Sequence, residues 1–316
     1  MMLMKYPKFL QKNDLIGMTA LSSGCSDCLD ELKVSLNNLK KDYRVIVTSD
    51  VYGDSVVSAS KEIRAREFNK LLEEDIKMIY IARGGDYLKE TLDLIDFHKL
   101  QEKEIWIQGY SDPTSLLYIL TTKYDIATIY GINGKGYDSI VLSKYQKDNL
   151  EIIKGNLLEQ TSFNDRKTIS LNGNFTSKGI IIGGCLDVLK DLLESKYDST
   201  LSFINKYKEH GIVWYFDIFS MTSREIYDVL LKMKELGYFL YTDTYLFGTV
   251  LFKNEEINLT YFDAISEVLK GNIVMDANIG HVKPSFTIIN GSLVSVKFED
   301  DILSIKQEVL NEENNG

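Results

Sequence analysis

The chain has 316 residues, 44% of them hydrophobic and 26% charged, a make-up that fits one large or two ordinary globular domains. A formal charge of −10 and the lack of a dense Lys/Arg cluster argue against nucleic acid as a partner. No run approaches the ~20 apolar residues that cross a bilayer, and the apolar piece at residues 15–18 is too short for a signal sequence, so a cytoplasmic protein without membrane contact is expected.

Residues 15–21, Leu-Ile-Gly-Met-Thr-Ala-Leu, predict a first strand. A Ser22-Ser23-Gly24 turn and a helix over 29–36 follow. Between them lies Cys25-Ser-Asp-Cys28, which has redox or metal spacing but no second Cys or His pair to complete a zinc site. It reads as two small residues in a Ser/Gly-rich loop, and three cysteines are too few for a disulfide framework. A second strand is predicted at 43–48, a helix at 62–74 with Phe68, Leu71 and Leu72 on one face, and a third strand at 77–82 ending in Arg83-Gly84-Gly85. A helix over 88–94, a strand at 105–107, the turn Gly109-Tyr-Ser-Asp-Pro113 and a helix from Thr114 complete the first half. Alternation of helices with near-continuous apolar strands predicts an α/β fold with a parallel sheet covered on both faces. Sites in such sheets form at the carboxyl ends of strands, where both the Gly84-Gly85 and Ser111 turns fall.

Residues 143–174 are polar and irregular and read as a linker between an N-terminal domain (1–142) and a C-terminal one (175–305). The second half restarts with a strand at 178–182, the Gly183-Gly184 turn and a helix through Leu186, Leu189, Leu192 and Leu193. A strand at 212–216 precedes a helix capped by Thr222 or Ser223 and stopped by Gly237. Strands at 246–252, 273–275, 285–289 and 292–298 make this a smaller α/β domain, and 306–316 reads as a frayed tail.

The Ser111 turn suggests chemistry. A serine at a sharp strand-to-helix turn projects its hydroxyl beside unpaired N–H groups at a helix start, the setting of a nucleophile elbow. The hydroxyl needs a base, and histidine is the usual one near neutral pH. Of His98, His210 and His281, the last sits between Gly280 and Pro284 at a strand rim, a good mounting for a catalytic side chain. Asp217, ending the apolar run 212–216, is a candidate to orient the imidazole, and Asp276 is a second. The N–H groups of Asp112 and Gly85 are candidates to stabilise an oxyanion. Neither Gly-Gly pair belongs to a phosphate-binding fingerprint.

Four segments in this order resemble one family: Arg83-Gly-Gly85; Gly109-Tyr-Ser-Asp112; Trp214-Tyr-Phe-Asp217 with Thr222-Ser-Arg-Glu225; and Gly280-His-Val-Lys-Pro284 with Ile288-Ile-Asn-Gly291. They are similar to the LD-carboxypeptidase family of serine peptidases, which includes the microcin C immunity proteins, over residues 13–300. The resemblance implies a Ser-Glu-His triad with Ser111 and His281 as nucleophile and base, and oxyanion donors on Gly85 and Asp112. It also implies an N-terminal Rossmann-like domain, a C-terminal α/β domain rich in β-structure, no metal or cofactor, and a homodimer in peptidoglycan recycling or microcin immunity. The substrate it implies is a small peptide or peptide conjugate, cleaved at an amide near a free carboxyl terminus. The sequence departs from the family pattern at three places. Aspartate stands at 217 where the family has glutamate, and reaches about 1.5 Å less far. Asp86-Tyr87 follows the Arg-Gly-Gly turn, and Cys185 follows Gly183-Gly184. The first two departures leave a catalytically impaired binding or regulatory protein on the same scaffold as the alternative.

Overall fold

The computed structural model describes residues 4–309. Five short parallel strands build a first sheet: β1 (Leu15–Thr19), β2 (Arg44–Val47), β3 (Met78–Ile81), β4 (Trp106–Gly109) and β5 (Thr128–Tyr130). Every residue of β3, β4 and β5 is buried, as expected of strands covered on both faces. The strand order is β2-β1-β3-β4-β5. It reverses between β1 and β3, and a crevice opens outside the carboxyl ends there.

The connecting helices are α1 (Leu29–Leu39), α2 (Lys61–Leu71), α3 (Phe97–Glu102) and α4 (Thr114–Tyr124). Residues 114–122 of α4 are all buried, because the helix packs between the first sheet and a strand of the second. A helix enclosed on every side needs no polar face. The segment 88–94, predicted helical, is a 3-10 helix.

The remaining strands are β6 (Glu159–Thr161), β7 (Ile169–Ser170), β8 (Phe175–Cys185), β9 (Ile212–Asp217), β10 (Thr242–Gly248), β11 (Asn272–Ala277), β12 (Ile288–Asn290), β13 (Leu293–Glu299) and β14 (Ile302–Glu308). All but β12 form an eight-stranded sheet in the order β6-β14-β13-β8-β9-β10-β11-β7, with β8 to β11 mutually parallel. β12 instead joins the first sheet, antiparallel to β5 with Ile288 opposite Tyr130. One hydrophobic core runs through both sheets.

Several predicted elements differ in detail. The polar stretch 143–174 holds a helix, α5 (Lys144–Ile153), which opens on a Ser143/Gln146 capping box, and also β6 and β7. The helix after Gly184 is one turn, Leu186–Leu189. The strand expected at 246–252 lies earlier, at 242–248. Residues 306–308, assigned to the tail, pair in β14 against β13, and the rest of that tail beyond 309 lies outside the described residues. Of the two residues offered as a cap, Thr222 takes the role for the helix Ser223–Glu235, in a capping box with Glu225, and Gly237 follows at φ 79°.

Candidate active site

Ser111 sits one residue beyond Gly109-Tyr110 at the carboxyl end of β4, with φ 71°. A non-glycine residue in this left-handed region is uncommon, and strain of this kind concentrates at functional turns. Its N–H donates to the Tyr130 hydroxyl at 3.2 Å. The helix α4 starts three residues later, and its first amides are not left unpaired as the sequence suggested: the Thr114 and Ser115 N–H groups donate to the Ser111 and Asp112 carbonyls at 2.9 and 3.1 Å.

His281 comes from the loop after β11, 170 positions along the chain, and its Nε2 lies 3.0 Å from Ser111 Oγ. The imidazole is wedged between two aromatic rings, Tyr110 at 5.2 Å and Phe219 at 4.6 Å between centroids. On the far side of the ring, Nδ1 is 2.8 Å from Oδ2 of Asp217, the last residue of β9. That separation is hydrogen-bonding length, although the carboxylate lies off the axis of the ring N–H. Asp217 is fully buried and also accepts the His281 main-chain N–H at 3.2 Å and the Tyr130 hydroxyl at 2.5 Å. Gly280 makes this fit possible. Its φ is 79°, and a Cβ there would stand 1.8 Å from Asp217 Cγ.

The candidate oxyanion donors flank the serine. Gly85 has φ 142°, where a Cβ would strike the Ser22 and Ser23 hydroxyls at 2.4 Å. Neither its N–H nor that of Asp112 has an acceptor among the described residues. Asp112 also works through its side chain. Its buried Oδ2 accepts from Ser22 Oγ at 2.5 Å and from the Leu88 N–H at 2.9 Å, tying the Arg83-Gly-Gly loop to the elbow. Burial pushes this carboxyl up to about 6. Asp86, the charge added beside that loop, is exposed.

The serine opens onto a cleft of about 410 Å³ lined by residues that include Arg83, Tyr110, Lys135, Asp138, Tyr145, Phe219 and Lys283. Arg83 is paired with Asp27 at 2.6 Å. Lys135 and Lys283 have no carboxylate partner among the described residues.

The other candidates lie elsewhere. His98 and His210 are exposed, and His98 pairs with Glu102. Asp217, not Asp276, faces the imidazole. Cys25 and Cys28 are buried free thiols behind Arg83, whose Nη1 is 3.9 Å from Cys28 Sγ. Burial pushes the Cys25 thiol up to about 12. Among the described residues, Cys185, Asp217 and His281 bring three metal-ligand atoms within 4.8 Å of one another. Two of these are already engaged with each other, and burial raises the Cys185 thiol well above its usual range, which makes it a poor ligand. Sequence reasoning passed over Tyr130 and gave the Lys283 side chain no role, and it offered the loop 133–137, which holds Lys135, only as unplaced pocket lining. The signal available for Tyr130 was its place at the end of an apolar strand before Gly131.

The sequence model of the LD-carboxypeptidase N-terminal domain matches residues 16–131, and that of the C-terminal domain matches residues 178–296. The chain has no match among curated proteins. Among solved structures it is similar in fold to the microcin C7 self immunity protein MccF in complex with aspartyl sulfamoyl adenosine (18% identity, TM-score 0.82), over 98% of this chain and 100% of that one. It is also similar to an MccF-like protein from Bacillus anthracis (18%, 0.78, over 98% and 100%). A muramoyltetrapeptide carboxypeptidase from Oxalobacter formigenes aligns over 93% of this chain and 99% of its own (18%, 0.75).

Proposed function

Because the chain belongs to the LD-carboxypeptidase family and is a serine-type carboxypeptidase hydrolase, we propose that Ser111, His281 and Asp217 are its triad. One observation carries this reading: a serine in a strained elbow of one sheet meets a histidine from the other at 3.0 Å. Ser111 Oγ attacks the scissile carbonyl as its proton passes to His281 Nε2. The oxyanion is held by the Gly85 and Asp112 N–H groups, and a donor of this kind contributes about 10²–10³ in rate. Collapse of the intermediate breaks the C–N bond, and the imidazolium returns its proton to the leaving amine. Water, deprotonated by the same nitrogen, then releases the acyl group and restores Ser111. Asp217 holds the ring and balances its charge.

The substrate in this reading is a small peptide or peptide conjugate cut at an amide near a free carboxyl terminus. Lys135 and Lys283 in the cleft suit the carboxylate of the leaving residue. Two substrates fit the family: a murein tetrapeptide cut at its L,D-bond, and a peptidyl or aminoacyl nucleotide. Hydrolysis of a murein tetrapeptide against an aminoacyl sulfamoyl adenosine, followed by mass spectrometry, separates them. A cytoplasmic homodimer belongs to the same reading, and sedimentation velocity checks the dimer.

Fluorophosphonate labelling tests the nucleophile without knowledge of the substrate. The wild-type protein is expected to label at Ser111 and Ser111→Ala to stay unlabelled. Equal labelling of the two sinks the assignment.

A further inference from the structure

Tyr130 ends β5, is 1% exposed and contributes one polar atom to the interior. That hydroxyl stands between the two halves of the site. It accepts the N–H of Ser111 at 3.2 Å and donates to Oδ2 of Asp217 at 2.5 Å. The accepting oxygen is the one that faces His281 Nδ1. A single phenol therefore touches the strained backbone of the nucleophile and the reactive side of the acid. It is the only link between them that bypasses the imidazole among the described side-chain hydrogen bonds.

Two physical needs meet at this atom. A carboxylate with no exposed surface requires donors, and among the described residues Asp217 has only Tyr130 besides the main chain and ring of His281. An aspartate is also short, and its oxygen lies off the axis of the ring N–H. A strong hydrogen bond from a rigid, buried phenol fixes the carboxylate plane where rotation about the Cβ–Cγ bond would otherwise carry Oδ2 away from Nδ1. Tyr130 is itself held. Its ring packs 5.4 Å from Tyr215 and 6.4 Å from Tyr110, and β12 pairs along its strand. Burial and the neighbouring Asp217 charge push the phenol well above its usual range, so it stays protonated and donates.

We propose that Tyr130 is a positioning residue for the hydrolysis, its hydroxyl setting Asp217 against His281. This rests on the triad reading above, and it predicts that Tyr130 acts through Asp217.

The test is a double-mutant cycle read by saturable fluorophosphonate labelling, with melting temperature recorded for each variant. Tyr130→Phe should slow the maximal labelling rate 10- to 100-fold and leave the half-saturating probe concentration within about threefold. Asp217→Asn should slow it at least as much. The double variant should be no slower than Asp217→Asn alone, within about threefold. Losses that multiply, or a Tyr130→Phe protein that labels at the wild-type rate, overturn the proposal. If Tyr130→Phe fails to fold, 3-fluorotyrosine at 130 keeps the shape and strengthens the donor. A changed maximal rate at an unchanged melting temperature then supports the proposal, and an unchanged rate overturns it. A wild-type protein that does not label at Ser111 defeats the triad reading instead, which keeps the two failures apart.

Discussion

Asp217 shows how little room the site leaves at the residue scale. The carboxylate is fully buried, takes two hydrogen bonds and faces the imidazole at 2.8 Å, and Gly280 lies directly against it. The family acid is one methylene longer, so Asp217→Glu is a natural restoration. The packing argues the opposite. An extra methylene in a filled interior forces neighbours off their positions, and here the neighbours are the Tyr130 hydroxyl and the His281 loop. Asp217→Glu is expected to slow labelling by tenfold or more, measured as the labelling rate at saturating probe. A faster variant would mean that the native acid is poorly placed. Gly280→Ala is expected to be worse. Left-handed backbone alone costs about 1–2 kcal/mol for a residue with a Cβ, and the 1.8 Å overlap adds displacement of Asp217. Both a lower melting temperature and a labelling rate down 100-fold or more should follow. Wild-type values for either variant would show that the loop relaxes freely.

At the scale of elements, the elbow is held by its own sequence. Asp112 joins the start of α4 to the 3-10 helix Leu88–Leu94 through the Leu88 N–H, and to the loop after β1 through Ser22. Thr114, the first residue of α4, accepts the Cys185 N–H at 3.0 Å and so ties the elbow to the end of β8. The carboxyl of Asp112, lifted from its ordinary 3.8 to about 6 by burial, binds its proton more tightly in the folded state than in the unfolded chain. Between those two values the folded state holds more protons, so this group makes stability fall as pH rises, and above about 6 the full penalty is in place. Asp112→Asn should therefore flatten the stability curve between pH 4 and 6 in urea titrations, and an unaltered slope would contradict the buried-charge account. The elbow was legible in the sequence because its cues are local: an apolar run, a glycine, a serine and a helix start within ten residues. The 3-10 character of 88–94 and the early end of the helix at Leu189 were not, since both depend on what packs against them.

The whole molecule divides the proposed site between two sheets, with Ser111 and Tyr130 on one and Asp217 and His281 beside the other. Nothing local in residues 285–291 announces that β12 leaves the second sheet to pair with β5. Strand propensity marks a strand but not its partner, and Tyr130 was illegible for the same reason, because its meaning comes from Asp217, 87 positions away. That crossing strand and the α4 helix packed between the sheets predict that the two halves unfold together. The chain offers a direct check, because it has two tryptophans, both fully buried: Trp106 in β4 of the first sheet and Trp214 in β9 of the second. Each single-tryptophan variant, Trp214→Phe and Trp106→Phe, reports one sheet by fluorescence while far-ultraviolet circular dichroism reports both. In urea the fluorescence midpoint of each variant should coincide with its own dichroism midpoint. If the sheets come apart separately, the Trp106 and Trp214 signals will straddle the dichroism transition. Labelling at Ser111 would then be lost at the lower of the two midpoints, because the proposed nucleophile keeps its base only while both sheets stand.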